Sequence, residues 1–157
     1  MSTDTVYEVY TLENALASFF SKTSASRSQC DDKARELAGG EVVAIAVQGC
    51  SSYTVYVGES QEYVVQFRLR SLALKLETAE LARKIHGSFV PEITFSGELG
   101  TDGNDGRDEQ VPMKEPLLVY LISRVPGMTY LDFRLAHDQD SPEAPTWRRN
   151  AMEGVAR

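Results

Sequence analysis

Glu41-Val42-Val43-Ala44-Ile45-Ala46-Val47-Gln48, then Gly49-Cys50-Ser51-Ser52, then Tyr53-Thr54-Val55-Tyr56-Val57 is the stretch on which the fold turns. Val43, Ile45 and Val47 alternate with Val42, Ala44 and Ala46. Both sides of that alternation are apolar, so the spacing predicts a strand covered on both faces or nearly so. The small and polar residues 49–52 then read as a hairpin connection, and Val55 with Val57 continue the ladder. Gly58-Glu59-Ser60-Gln61 is a second turn, leading into a third strand, Tyr63-Val64-Val65-Gln66-Phe67-Arg68.

Outward from this core the period changes. Leu74, Leu81 and Ile85 recur at helical spacing, and Gly87 ends the run, so a helix is predicted over 71–86. Two more strands follow, the second being the apolar run Leu117 to Ser123. Between them, residues 99–116 are rich in Gly, Asp, Asn and Pro and read as a surface loop. Upstream, Thr11 caps a helix carrying Leu12, Ala15, Leu16, Phe19 and Phe20; a second helix covers 29–38 and stops at Gly39-Gly40. Downstream, 129–136 is a short helix, and Thr146 caps a last helix over 147–157. The expected fold class is α+β: five antiparallel strands (41–48, 53–58, 62–69, 92–98 and 117–123), one helix packed on a face of the sheet, and two preceding N-terminal helices. The expected division is 1–39, 40–128 and 129–157.

The 157 residues suffice for a domain with a real core. A net charge of −7 and a pI near 4.9 exclude a basic footprint, so neither a nucleic-acid nor a membrane partner is expected. Cys30 and Cys50 are the only cysteines and read as reduced thiols; His86 and His137 are the only histidines, which excludes a His-rich metal site. The polar, acidic start Met1 to Thr5 carries no secretion signal, and no apolar run is long enough to span a bilayer. A cytoplasmic location is the expectation. Asp102-Gly103-Asn104-Asp105-Gly106 opens like a calcium loop, but Gly106 holds the fifth position and Met113 the twelfth, so calcium binding is rejected.

Several residues suit a phosphate-bearing ligand. Gly49 lets backbone N–H groups approach phosphate oxygens, and Ser51 and Ser52 add donors; read alone, they are a hairpin turn. Glu77 lies between Leu74 and Leu81 on the apolar stripe, so it is expected to face the protein and to need a partner. Arg68 is the obvious one, in a nucleotide site or in a plain salt bridge. Gln66 and Arg68 point to the same side of their strand. At the end of the apolar strand, the backbone of Ser123 and Val125 offers donor and acceptor edges for an adenine before Pro126-Gly127 turns the chain away; a strand end with a common turn is the alternative.

Taken together, Val64-Val65-Gln66-Phe67-Arg68, Leu76-Glu77 through Leu81-Ala82-Arg83, Val90-Pro91-Glu92-Ile93, and Leu117 to Tyr120 through Val125-Pro126-Gly127 resemble the N-terminal lobe of the aminoglycoside phosphotransferase family. That family is in turn similar to choline kinases and, more remotely, protein kinases; the likeness is closest to filamentous-fungal members. It runs from about Gly40 to Leu135, with an echo in Trp147 to Arg157. It implies a two-lobed protein with ATP in the cleft and transfer of the γ-phosphoryl group to a small-molecule hydroxyl. By it, 40–128 is a kinase-like N-lobe, 129–157 the start of a truncated helical lobe, and Gly49, Ser51 and Ser52 match the phosphate-covering loop. Glu77 matches the helix carboxylate, Gln66 or Arg68 the basic strand residue, and Ser123 to Val125 the adenine hinge. The family's His-Gly-Asp catalytic loop and later metal-binding Asp have no counterpart here, and Asp132 and Asp138 lack the flanking motif. The implied isolated chain holds ATP weakly, takes Mg2+ only with a complete second lobe, and is inactive as a phosphotransferase. A kinase-derived, non-catalytic binding or regulatory protein is the alternative, and fungal likeness implies a role in metabolite biosynthesis. Leu121, Ile122, Val125, Met128, Tyr130, Phe133 and Trp147 are expected to leave an apolar face for a homodimer or another protein.

Overall fold

The computed structural model describes residues 10–101, 114–128, 130–137 and 140–155. They fall into two units, Met1–Val125 and Pro126–Arg157.

Side-chain caps start the first two helices. The Thr11 hydroxyl accepts the Asn14 N–H at 3.2 Å and opens α1, Leu12–Phe20. Ser26 and Gln29 cap each other's backbone and open α2, Arg27–Ala38, which ends at Gly39 with φ 67°. Gln29 is therefore the third residue of that helix rather than its start.

Five antiparallel strands follow: β1 Val43–Ala44, β2 Ser52–Val57, β3 Tyr63–Leu69, β4 Ile93–Leu99 and β5 Leu117–Ser123. Their order in the sheet is β1-β2-β3-β5-β4, so β5 inserts between β3 and β4. The α+β class with a five-stranded antiparallel sheet agrees with the sequence. The pairing of β4 with β5 slips between Phe95 and Glu98, where Gly97 takes φ 102°.

Side chains that pair across strands share a face. Tyr53, Phe67 and Val119 form one such row; Val55 and Val65 lie in the next. This face is closed by Leu16 and Phe19 of α1 and by Cys30 and Ala34 of α2, all buried. The N-terminal helices thus share the core of the sheet unit. Tyr53 also ties α2 to the sheet: its hydroxyl donates to Asp31 Oδ1 at 2.7 Å, and Arg27 Nε donates to it at 3.3 Å.

Two expectations are corrected. The first strand is two residues, not 41–48: after Ala44 the chain leaves the ladder, and Val47 is 71% exposed. The helix predicted over 71–86 begins later. Arg70–Leu72 is a 3-10 turn, and α3 spans Leu76–His86. The side carrying Leu76, Ala79 and Arg83 lies against Pro91, Glu92 and Ile93 at the edge strand β4, and no residue of α3 is buried. Leu81 and Ile85, expected to face inward, are 57% and 66% exposed. Periodicity tells which residues share a face; it does not say which body covers that face. Here α1 and α2 already close the apolar side of the sheet.

In the second unit, α4 is Tyr130–Ala136 and α5 is Ala144–Val155. Phe133 stacks on His137 with centroids 4.2 Å apart, and Trp147 meets Phe133 edge-on at 5.6 Å. α5 starts ahead of Thr146, which lies in its first turn with its N–H on the Glu143 carbonyl at 3.0 Å. Pro145 is tolerated there because a first-turn N–H has no intrahelical acceptor to lose. The rejected calcium loop at 102–106 and Asp138 lie outside the described residues, as do the side chains of Tyr130 and Asp132.

Candidate nucleotide-facing site

The second face of the sheet carries different chemistry. Reading across β2, β3 and β5, Ser52 pairs with Arg68 and Leu118, Thr54 with Gln66 and Tyr120, and Tyr56 with Val64 and Ile122. One end of this face is polar and the other apolar. Each row is two residues from the next, so the three rows span roughly 13 Å along the strands.

The polar rows are joined by hydrogen bonds. Arg68 Nε donates to the Leu72 carbonyl at 2.7 Å, and Arg68 Nη1 donates to Gln66 Oε1 at 3.2 Å. Gln66 Nε2 in turn donates to Thr54 Oγ1 at 3.4 Å. The Tyr120 hydroxyl accepts the Leu74 N–H at 3.2 Å, drawing the segment before α3 toward this face. Gln66 and Arg68 share one side of β3, as the sequence indicates, and both are part-exposed. The guanidinium is held at Nε and Nη1, and no bond occupies Nη2 among the described residues.

The expected Glu77–Arg68 pair is not formed. Glu77 is exposed, and Arg68 is bonded to Leu72 and Gln66 instead. Glu77 does lie on the stripe with Leu81, but that stripe faces solvent.

The turn between β1 and β2 is built by a residue that the sequence reading treats only as a strand end. Gln48 is 6% exposed. Its Oε1 accepts the Thr54 N–H at 2.8 Å, and its Nε2 donates to the Thr54 carbonyl at 2.8 Å and to the Ile45 carbonyl at 3.0 Å. The Gln48 N–H is bound by the Tyr10 hydroxyl at 2.7 Å. The Ile45 N–H still reaches the Thr54 carbonyl at 3.2 Å; the Gln48 side chain makes the rest of the pairing that a longer β1 would make, and residues 46–51 are released into an arch. The signal was present: a polar residue ends an apolar run just before a glycine, and a buried amide must be satisfied. Gly49 has no left-handed φ, and a Cβ there would meet only Ser52 Oγ at 3.9 Å. Ser51 is part-exposed, and Ser52 is 5% exposed at the end of the polar row.

At the other end, Ser123 is engaged. Its Oγ accepts the Glu92 N–H at 2.8 Å, and its own N–H donates to the Glu92 carbonyl at 2.9 Å. Val125, the other residue of the expected hinge, is 37% exposed. The Arg124 guanidinium sits 4.1 Å over the Tyr56 ring, a cation–π contact that sequence spacing does not reveal. Of the expected apolar face, Leu121 and Ile122 are part-buried in the first unit; in the second, Met128 is 65% exposed while Phe133 and Trp147 are part-buried.

Among the described residues, no three His, Cys, Asp or Glu side chains come together as a metal ion requires, and no helix is long and apolar enough to cross a membrane. No family model, curated protein or solved structure matches the chain.

Proposed function

We propose that this chain is the nucleotide-holding lobe of an ATP-dependent phosphotransferase acting on a small molecule, of the aminoglycoside phosphotransferase-like kind. The observation that carries this reading is the graded face of the sheet. Val64 and Ile122, next to a Tyr56 ring that Arg124 covers, form a less polar end, suited to a flat base. Gln66 and Arg68, both part-exposed, form a polar end beside the 49–52 turn, suited to phosphates. A five-stranded antiparallel sheet with a helix in the β3–β4 connection also supports this reading.

In this reading Arg68 neutralises phosphate charge through Nη2, Gln66 fixes the guanidinium, and Ser51 donates from the turn, while the buried Ser52 is not a ligand. ATP is the cofactor that these groups fit. Phosphoryl transfer is dominated by positioning and charge neutralisation, and the groups that hold metal and orient the attacking hydroxyl belong to a second lobe.

The test is calorimetric titration of the purified chain with ATP, against the same titration of Arg68→Met. Weak, saturable binding that falls about tenfold or more in the variant is expected from loss of a charge-assisted contact. Absence of saturable binding, or equal binding by both proteins, overturns the reading.

One observation favours a second reading, a kinase-derived binding or regulatory protein without catalysis. Glu77 points into solvent rather than toward Arg68, so the ion pair that a working site would use is open. Under that reading the chain holds a protein partner, and ATP titration gives no heat.

A further inference from the structure

We propose that α3 is a self-association surface, on which two copies of this chain pack their α3 helices antiparallel about a two-fold axis beside Leu81. Leu81 and Ile85 lie one turn apart on one side of α3 and are 57% and 66% exposed. Phe89, in the turn that follows, is 86% exposed. Leu81 and Ile85 are neighbours on the helix, and grouped apolar exposure of this kind is characteristic of interfaces.

The occupant follows from the charges flanking the stripe. Glu77 and Lys84 are seven residues apart, two turns along the same side of the helix, with Leu81 between them. Both are exposed, and neither side chain has an ion-pair partner among the described residues. A two-fold axis midway between them places Glu77 of one copy against Lys84 of the other, and the reverse. A C2 interface must be complementary to itself, and this stripe meets that condition. The same arrangement sets the basic last turn of each helix, with Arg83, Lys84 and His86, beside the acidic first turn of its mate and opposes the two helix dipoles. Leu81 then packs on its own counterpart near the axis. The apolar contact supplies the affinity; the charge pairs fix direction and register.

The proposal is independent of nucleotide binding and is tested by sedimentation equilibrium of the full chain over a dilution series. The wild type is expected to show a monomer–dimer equilibrium, and Leu81→Asp to be monomeric. Leu81 is already exposed, so folding is retained and is checked by circular dichroism. Lys84→Glu, which sets carboxylates together at both ends, is expected to weaken the dimer about tenfold. The double variant Glu77→Lys/Lys84→Glu restores both pairs and should return to within about threefold of wild type. A monomer at every concentration, a dimer indifferent to Leu81→Asp, or a double variant no stronger than Lys84→Glu alone overturns the proposal.

Discussion

The carboxamide of Gln48 completes the pairing with Thr54 that the Ile45 N–H begins, accepting the Thr54 N–H and donating to its carbonyl, both at 2.8 Å. Thr54 is 6% exposed, so water cannot replace these bonds. Gln48→Ala should therefore destabilise the chain by about 1–3 kcal/mol, since the buried Thr54 N–H loses its partner and the Thr54 carbonyl keeps only the Ile45 N–H. Gln48→Glu should cost at least as much, because a carboxylate oxygen would face the Thr54 carbonyl. Urea unfolding at neutral pH measures both; a change below about 0.5 kcal/mol for Gln48→Ala would show that the arch holds itself.

Gly40 and Gly58 meet across the start of the sheet. The Gly58 N–H donates to the Gly39 carbonyl at 3.0 Å, and Gly40 has φ 73°. A Cβ on Gly40 would overlap the Gly58 carbonyl, which is backbone and cannot swing aside. Gly40→Ala should cost about 2 kcal/mol or more from combined strain and overlap. Gly49→Ala, with ordinary φ and open space, should lie within about 0.5 kcal/mol of wild type. Thermal unfolding of the two variants side by side gives the comparison.

Burial and the nearby Asp31 charge push the Cys30 thiol from 9.0 up to about 12. Burial, with Asp31 accepting its proton, also raises Tyr53. Both groups keep their protons in the folded chain at pH values where the unfolded chain loses them. The unfolded state then binds fewer protons, and stability falls as pH rises above about 9. The loss for Cys30 alone reaches about 2 kcal/mol by pH 10.5. Cys30→Ala should lower stability at pH 7 through its cavity yet flatten the alkaline decline. A decline of equal slope in both proteins, measured by urea midpoints from pH 7 to 10.5, would contradict the assignment.

Catalysis is the fourth point of test. The isolated chain is expected to show no phosphate release from ATP and no acceptor phosphorylation above background, because this sequence has no His-Gly-Asp catalytic loop. Turnover by purified protein that disappears in Arg68→Met would overturn this.

Strand and helix identities were legible because their signals are local. Val55 and Val57, Val65 and Phe67, and Leu117 and Val119 alternate or run as strands do, and Thr11 caps as its side chain allows. The alignment of Gln66 with Arg68 on one face follows from the two-residue period alone. What failed was placement. Glu77 and Leu81 do share a stripe, but Leu74 lies ahead of the helix, and whether the stripe meets the sheet depends on the turn at 70–72 and on two other helices filling the core. The arch at Gln48 was hidden for a related reason: one side chain bonding six residues away shortens a strand whose composition calls for a longer one. Likewise, Ser123 spends its hydroxyl on Glu92, a partner thirty-one positions off.

The slip in β4 at Gly97 limits how the sheet can grow. β4 is an outer strand, and an outer strand's edge is a template on which a stray chain can extend the ladder. The kink interrupts that template partway along its seven residues, and Glu98 beyond it carries a charge tied to Arg70 at 2.7 Å. An invading strand would find a run too short to register. The chain is thereby steered away from edge-to-edge fibres, and its encounters with other molecules are left to side chains, whose choice of partner a single substitution can change.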